Sequence, residues 1–144
     1  MSLKDGTKKM SKSDPSDLSR INMTDTKDQI VNKIKKAKTD PDLLPSTDKD
    51  FKKRPELENL LGIYSSMKNQ SLLESINEFS GKNFSNLKDK LTETIVEKIT
   101  PISNEINKLQ KDAKFIDEVL YEGAQKAEEI ASKKIKEIKK IIGF

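Results

Sequence analysis

Apolar residues recur at helical spacing over most of the chain after residue 24. The first such segment predicts a helix with Thr24 or Asp25 as its N-cap and an end near Lys38. Its apolar face consists of Ile30, Val31, Ile34 and Ala37. Lysines in the last turns suit the negative end of the helix dipole, and contact with a phosphate is the alternative. These lysines are Lys33, Lys35, Lys36 and Lys38.

Two shorter helices are predicted after a long loop over residues 39–53. Pro55 suits the first turn of the second helix, where its missing N–H costs nothing. The apolar stripe of that helix is Leu57, Leu60, Leu61, Tyr64 and Met67. A capping box at Ser71 opens a third helix through Phe79, and Gly81 is well placed to end it.

Two long amphipathic stripes follow. The first is Leu87, Leu91, Ile95, Ile99, Ile102, Ile106 and Leu109. Pro101 lies inside it and predicts a kink or a break. The second is Ile116, Leu120, Ala124, Ala127, Ala131, Ile135, Ile138 and Ile142, which Gly123 could bend or divide. The lysines of this last helix are also typical of a membrane-surface helix, but we expect packing against the other helices.

The first 23 residues have no helical stripe. They read as a loop followed by a short extended piece over residues 19–23. We therefore predict an all-α protein in which five to six amphipathic helices form a bundle preceded by an extended lysine-rich loop. The predicted domains are residues 1–23, the loop and connector, and residues 24–144, the helical region.

Composition narrows the chemistry that the chain can perform. Its 144 residues contain no histidine and no cysteine, so imidazole and thiolate ligands, bases and nucleophiles are excluded. Any catalysis must come from lysines acting electrostatically or from carboxylates. The net charge of +4 mildly favours a polyanionic partner. No apolar run approaches the roughly 20 residues that span a bilayer, and we expect a cytoplasmic protein.

The most distinctive stretch is a cationic loop near the start of the chain. Lys8, Lys9 and Lys12 alternate with Ser11 and Ser13, and an Asp-Pro turn follows. Lysines with small hydroxyl side chains and free amides suit a bound phosphate. A P-loop is excluded, because no glycine precedes the Gly-Thr-Lys that opens this stretch.

Residues 9–13 spell Lys-Met-Ser-Lys-Ser, which resembles the signature loop of class I aminoacyl-tRNA synthetases. Further stretches extend the resemblance to the C-terminal part of bacterial tryptophanyl-tRNA synthetases. They are residues 5–15, 24–25, 33–40, 59–64 and 123–127. The related tyrosine enzymes usually carry a different version of this signature loop. The resemblance therefore favours tryptophan over tyrosine as the substrate.

The resemblance implies an ATP-dependent ligase that activates tryptophan and then transfers it to tRNA(Trp). Lys9 and Lys12 would be the catalytic residues, neutralising charge on the departing pyrophosphate. The residues implied to bind ATP are Lys9, Met10, Ser11, Lys12 and Ser13. Mg²⁺ is expected to arrive with ATP, with no identifiable protein ligand. The implied partners are ATP, tryptophan, tRNA(Trp) and a second copy in a homodimer, without membrane or DNA.

The chain also departs from that family. The family's α/β nucleotide-binding half, with its histidine-containing signature, has no counterpart in this sequence. We expect the chain to be a C-terminal portion that is inactive alone, with residues 24–144 as the anticodon-binding region. Tyr64 and Tyr121 could stack on an unpaired base or belong to the core, and no tRNA-binding residue is assigned. The alternative is a stand-alone helical RNA-binding or protein-interaction module without catalysis.

Overall fold

The computed structural model describes residues 1–143, and over this range the secondary structure is helical, with no strand. The helices are α1 (Lys27–Lys35), α2 (Pro55–Lys68), α3 (Leu72–Phe79), α4 (Phe84–Lys111) and α5 (Ala113–Ile142). Single 3₁₀ turns lie at Asp17–Ser19 and Phe51–Lys53. The predicted all-α class with five helices is confirmed.

The chain forms two compact units. The first is Met1–Asn104, and the second runs from Glu105 onward and contains the end of α4 and all of α5. The boundary between the units therefore falls inside a helix. The division into residues 1–23 and 24–144 stays a prediction.

Helix α1 is shorter at both ends than predicted. Its N-cap is Thr26, whose hydroxyl accepts from the Gln29 amide while the Gln29 side chain accepts from the Thr26 amide. Thr24 and Asp25 are therefore not caps. The helix ends at Lys35, since the amide of Lys38 donates to the carbonyl of Leu3 at 2.8 Å and leaves the helical ladder.

Helices α2 and α3 match their predictions closely. Pro55 is the first residue of α2, and the reciprocal capping box of Ser71 and Glu74 opens α3, which ends at Phe79. Gly81 adopts a φ of +72°, the left-handed conformation that suits glycine after a helix. The α2 side chains that enter the core are Leu57, Leu60, Leu61 and Tyr64, with Met67 partly buried beside them.

Helix α4 is continuous through Pro101, so the predicted break is wrong and the alternative of a kink stays a prediction. Buried Ile99 and Ser103 flank the proline and hold both adjoining turns in the first unit. The stripe enters the core only over its first half, at Leu87, Leu91, Ile95 and Ile99. Ile102 and Leu109 are exposed, although the periodicity predicts them to be buried.

Helix α5 is an unbroken helix that Gly123 does not divide, and none of its residues is buried. The prediction that its apolar stripe packs against other helices stays a prediction. Spacing alone cannot distinguish a stripe that meets a partner from one that stays exposed. None of the helices described over residues 1–143 is long and apolar enough to cross a membrane.

Candidate functional site

The cationic stretch lies in a loop whose two ends are tied to the same short segment. The amide of Ser2 donates to the carbonyl of Lys8 at 2.7 Å, and the amide of Leu3 donates to that of Ser19 at 2.9 Å. Leu3 and Ser19 are both fully buried. We call residues 9–16 the lysine loop. Its base is therefore fixed in the core, and through the Leu3 carbonyl it is also joined to the residues after α1.

The backbone on the N-terminal side of the lysine loop touches the start of α2. A Cβ atom placed on Gly6 would lie 2.4 Å from the carbonyl carbon of Pro55, which only glycine can avoid. Next to this contact, the ammonium of Lys38 lies 2.7 Å from the carboxylate of Glu56. That ion pair, with a smaller contribution from the Gly6 amide, lowers the pKa of Glu56.

Local hydrogen bonds shape the inside of the lysine loop. The amide of Asp14 donates to the carbonyl of Ser11, and the amide of Ser13 donates to the Ser11 hydroxyl. The carboxylate of Asp14 in turn accepts from the amide of Ser16 at 2.7 Å. These are the turns that serine and aspartate form with their own backbone. The loop therefore has a defined backbone even though most of its side chains are exposed.

A single guanidinium lies on the inner side of the lysine loop. Nη1 of Arg20 donates to the backbone carbonyls of Ser11, Asp14 and Ser16 at 3.3, 3.1 and 3.5 Å. Its Nη2 lies 3.2 Å from the carboxylate of Asp17. Only 18% of the Arg20 side chain is exposed. One arginine therefore joins three loop carbonyls on one side and an acidic residue on the other.

Asp17 connects this arginine to α1. The ammonium of Lys33, a buried residue of α1, lies 2.7 Å from Asp17 and 2.6 Å from the buried carboxylate of Asp25. The hydrogen bond from Lys33, followed by one from Asn22, lowers the pKa of Asp17. A continuous series of charged contacts thus runs from α1 through Lys33, Asp17 and Arg20 to the loop. Lys33 lies in the last turn of α1, as predicted, but its ammonium is buried between two aspartates, so the alternative of a phosphate contact is wrong for this residue.

The predicted ATP-binding residues lie around two cavities. Lys9, Ser11, Lys12 and Ser13 are exposed, and Met10 is half-buried against the core. A cavity of about 520 Å³ is lined by Ser2, Lys4, Asp5, Lys8, Lys9, Ser11, Ser13, Asp14 and Pro15. A second, of about 590 Å³, is lined by Met10, Ser11, Lys12, Arg20, Ile21, Asn22, Met23 and Thr24. The structure therefore brings Lys9 together with Lys4 and Lys8, while Lys12 lines the other cavity.

The first cavity is polar, and its lining includes three lysines, three serines and two aspartates. Lys8 is paired with Asp5 at 3.3 Å, and the ammonium of Lys4 donates to the hydroxyl of Ser16 at 3.5 Å. Hydrogen bonds from Thr7, its hydroxyl first, lower the pKa of Asp5 and keep it ionised. Within residues 1–143 no group of three or more metal-ligating side chains could hold a metal ion, so we assign no Mg²⁺ ligand.

Sequence reasoning missed Lys4, Asp17, Arg20 and Lys33 as parts of this site. One signal was available: only two of the 28 basic residues are arginine. Both arginines donate to several backbone carbonyls of a loop, which the planar fork of a guanidinium allows and a lysine does not. The roles of Asp17 and Lys33 leave no mark in the sequence pattern.

The two tyrosines have different surroundings. Tyr64 is 2% exposed, packs edge-on against Phe79 and donates its hydroxyl to Glu78 at 2.9 Å. It is therefore a core residue that cannot stack on a base. Tyr121 on α5 is 65% exposed and accepts a hydrogen bond from Gln125. Exposed lysines cluster on the last turns of the same helix, at Lys136, Lys139 and Lys140.

Comparison with known proteins gives a consistent result. The family model described as tRNA synthetases class I (W and Y) matches residues 1–102. Over all 144 residues the chain is 52% identical to a tryptophan–tRNA ligase of Agrobacterium fabrum and 51% identical to one of Rhizobium meliloti. In each case it spans 41% of the relative's length.

A solved structure agrees with these sequence matches. The crystal structure of tryptophanyl-tRNA synthetase from Mycoplasma pneumoniae superimposes with a TM-score of 0.61 at 30% identity. The superposition covers 75% of this chain and 34% of that one. Similarity in sequence and in fold therefore points to one group of proteins, of which this chain matches a part.

Proposed function

The chain belongs to the class I tRNA synthetases of the tryptophan and tyrosine group, and from that premise we propose that it is the portion of a tryptophan–tRNA ligase that carries the lysine loop and a helical tRNA-binding region. The proposed reaction is the ATP-dependent attachment of tryptophan to tRNA(Trp). Relatives that are about half identical over the whole chain are tryptophan–tRNA ligases, which favours tryptophan over tyrosine.

The observation that carries this proposal is the first cavity, where three lysines surround the exposed serines of the loop. Displacement at the α-phosphate of ATP leaves the protein little covalent chemistry to do. What it needs is positive charge positioned where negative charge develops on the leaving pyrophosphate. A loop with a fixed base and free ammonium groups meets this need without any histidine or cysteine.

Within this proposal Lys9 and Lys12 have related but separate roles. Lys9 acts in the first cavity beside Lys4 and Lys8, where three lysines outnumber the two aspartates and can donate to the oxygens of a polyphosphate. Lys12 lines the second cavity, and its exposed side chain would turn toward the phosphates when ATP binds while the backbone of the loop keeps its position. Ser11 lines both cavities, and with Ser13 and the loop amides it would orient the phosphate oxygens.

The remaining parts of the proposal concern tRNA, Mg²⁺ and the state of the whole ligase. The tRNA-binding region would use the exposed lysines of the helical part, and the phosphate backbone of tRNA would attract them in a salt-dependent way. Mg²⁺ would be delivered as the complex with ATP. A homodimer and a cytoplasmic location are the states that we expect for the whole ligase.

A chimeric enzyme tests the catalytic proposal. The matching segment of the Agrobacterium fabrum ligase is replaced by this chain, and tryptophan-dependent exchange of pyrophosphate into ATP is measured. We expect an active chimera in which Lys9→Ala or Lys12→Ala lowers the exchange rate by on the order of a hundredfold, the usual loss of one preorganised charge contact. Lys49→Ala, at an exposed lysine in the loop before α2, is the matched control and should leave the rate unchanged.

The same experiment separates the competing functions. An active chimera that does not respond to either lysine substitution would exclude the catalytic role of the lysine loop. An inactive chimera, together with salt-sensitive binding of tRNA(Trp) by the 144-residue chain, would favour the RNA-binding module without catalysis. Equal binding of any polyanion would exclude that module as well.

A further inference from the structure

We propose that Arg20 is a positioning residue for the lysine loop, and that Asp17 and Lys33 hold Arg20 in place from α1. This inference rests on the proposed function of the loop and adds to it the group that sets the conformation of its backbone. Arg20 is not part of the Lys-Met-Ser-Lys-Ser pattern. It lies seven positions after the last serine of that pattern.

The contacts of Arg20 reach the middle of the segment that carries the proposed phosphate ligands and the residues that follow it. The Ser11 carbonyl lies inside that segment, and the carbonyls of Asp14 and Ser16 follow it. A single charged donor shared by three carbonyls draws the loop into one arc. Arg20 is largely buried, and its bonds to the Asp14 and Ser16 carbonyls are partly shielded from water.

The arginine is itself held from the other side. Its Nε donates to the side chain of Asn22 at 3.2 Å, and its Nη2 meets Asp17. Asp17 in turn is bonded to the buried ammonium of Lys33 at 2.7 Å. Lys33 is bonded on its other side to buried Asp25, so it cannot follow a displaced loop without leaving a carboxylate unpaired. The series of contacts therefore begins on α1 and ends at the backbone of the loop.

Holding the backbone in this way lowers the cost of binding. A loop of free chain must lose conformational freedom when it closes on a polyphosphate, and a loop already held in one arc loses less. Small errors in the position of a catalytic group reduce rates by up to about a hundredfold. Arg20 therefore acts on the reaction through the position of Lys9 and Lys12, without touching the phosphates itself.

The proposal distinguishes the guanidinium fork from its charge. Lysine keeps the positive charge but cannot serve several carbonyls and a carboxylate at once. Arg20→Lys is therefore expected to release the loop almost as fully as Arg20→Gln. If Arg20 instead acted as a distant positive charge on the phosphates, Arg20→Lys would keep most of the activity.

Arg54 is a matched control within the same chain. Its guanidinium donates to the carbonyls of Leu43 and Asp42 at 2.9 and 3.1 Å and pairs with Asp40. It has the same kind of contacts as Arg20 but holds a different loop. Arg54→Lys thus removes a guanidinium with the same kind of contacts, but it leaves the contacts of the lysine loop in place.

Amide hydrogen exchange in the 144-residue chain tests the structural half of the proposal. We expect the amides of Ser13, Asp14 and Ser16 to exchange roughly tenfold faster in Arg20→Lys, while they keep their wild-type rates in Arg54→Lys. Equal rates in Arg20→Lys and wild type, or equal acceleration by both variants, would overturn the proposal. If Arg20→Lys unfolds the chain, Asp17→Asn, which keeps Arg20 but removes its charged partner, takes its place with the same expected result.

Kinetics in the chimeric ligase tests the functional half. Arg20→Lys and Arg20→Gln should each lower kcat for pyrophosphate exchange by about tenfold to a hundredfold with KM for tryptophan within about twofold, and Arg54→Lys should not. Wild-type kcat in both Arg20 variants, or full rescue by lysine, would overturn the positioning role. If Lys9→Ala and Lys12→Ala leave the rate of pyrophosphate exchange unchanged in the same chimera, the proposed function fails instead. The amide hydrogen-exchange rates still decide whether Arg20 orders the loop.

Discussion

Gly6 is the position where a single added methyl group should separate the lysine loop from the helices. An ideal Cβ on this residue would lie 2.4 Å from both the carbonyl carbon and the oxygen of Pro55, and 2.6 Å from the nitrogen of Glu56. All three atoms belong to the backbone at the start of α2, so no flexible side chain can move aside. Gly6→Ala must therefore displace the backbone on one side of this contact.

The size of the effect follows from this crowding. Relieving it needs a shift of about 1 Å, and overpacking of this kind typically costs 1–3 kcal/mol. Alanine also restricts the unfolded chain more than glycine does, which stabilises the native state by about 0.4–1 kcal/mol. We therefore expect a net destabilisation of about 1–2 kcal/mol. Each kcal/mol lowers Tm by roughly 4–8 °C in a unit of about 100 residues, the size of Met1–Asn104.

Urea and thermal unfolding of the 144-residue chain measure this prediction, with the signals of α2 amides reporting on the first unit. Gly62→Ala is the matched control, because it lies within α2 and an added Cβ there meets nothing within 4 Å. Alanine is favoured over glycine by about 1 kcal/mol in a helix, so the control should raise stability. Opposite signs at the two glycines support the contact between Gly6 and α2. A Gly6→Ala chain as stable as Gly62→Ala would refute it.

Two further predictions concern buried charges. Lys33→Met leaves the buried carboxylate of Asp25 without its charged partner, although Asn22 still donates to it, and should cost about 3–5 kcal/mol, measured by urea unfolding, with exposed Lys35→Met as the control. A loss below 1 kcal/mol would show that Asp25 finds another partner. Burial, aided by the carboxylate of Glu78, raises the pKa of Tyr64 to about 12, so between pH 10 and 12 the native state keeps a proton that the unfolded state loses. Stability should therefore fall as the pH rises through that window, by about 2–3 kcal/mol in total. Tyr64→Phe should remove this part of the alkaline dependence, and an unchanged profile in that variant would contradict the assignment.

The helices of the first unit could be predicted because local signals agree with packing there. The capping box at Ser71, the proline at the first position of α2 and the apolar stripe from Leu57 to Tyr64 all indicate the same elements. The start of α1 was misplaced because Thr24, Asp25 and Thr26 are all good caps by residue type. Burial of Asp25 against Lys33 decides among them, and that contact is tertiary.

The two long stripes show where periodicity stops being informative. In α4 the same spacing of isoleucine and leucine continues from a buried half into an exposed half, and Ile99 and Ile102 look alike in the sequence. In α5 the stripe is complete but no residue is buried. An amphipathic pattern states that a helix has an apolar face, while burial needs a second surface that the pattern does not describe.

The candidate site also has one part that the sequence predicts and another part that only the structure shows. Lys9 and Lys12 could be found from the sequence because a short pattern of exposed residues carries the chemistry. The residues that hold the loop, Arg20, Asp17 and Lys33, act through contacts between positions up to 16 residues apart, the most distant being the contact of Lys33 with Asp17. Charged residues are mostly exposed in proteins, so a buried lysine between two aspartates is not what composition predicts.

One set of residues thus fixes the position of the lysine loop, and a different set supplies its positive charge. Its backbone is tied to the core at Leu3 and Ser19, to α2 at Gly6 and to α1 through Arg20, while the ammonium groups of Lys9 and Lys12 stay exposed. Substitutions of the exposed lysines should therefore change catalysis and leave the free energy of unfolding almost unchanged, because surface charges contribute little to stability. Substitutions at the ties should change both, since they release a segment of the core together with the loop. A lysine variant that lost stability in proportion to its activity would mean that the loop and its charges fold as one unit, contrary to the contacts seen here.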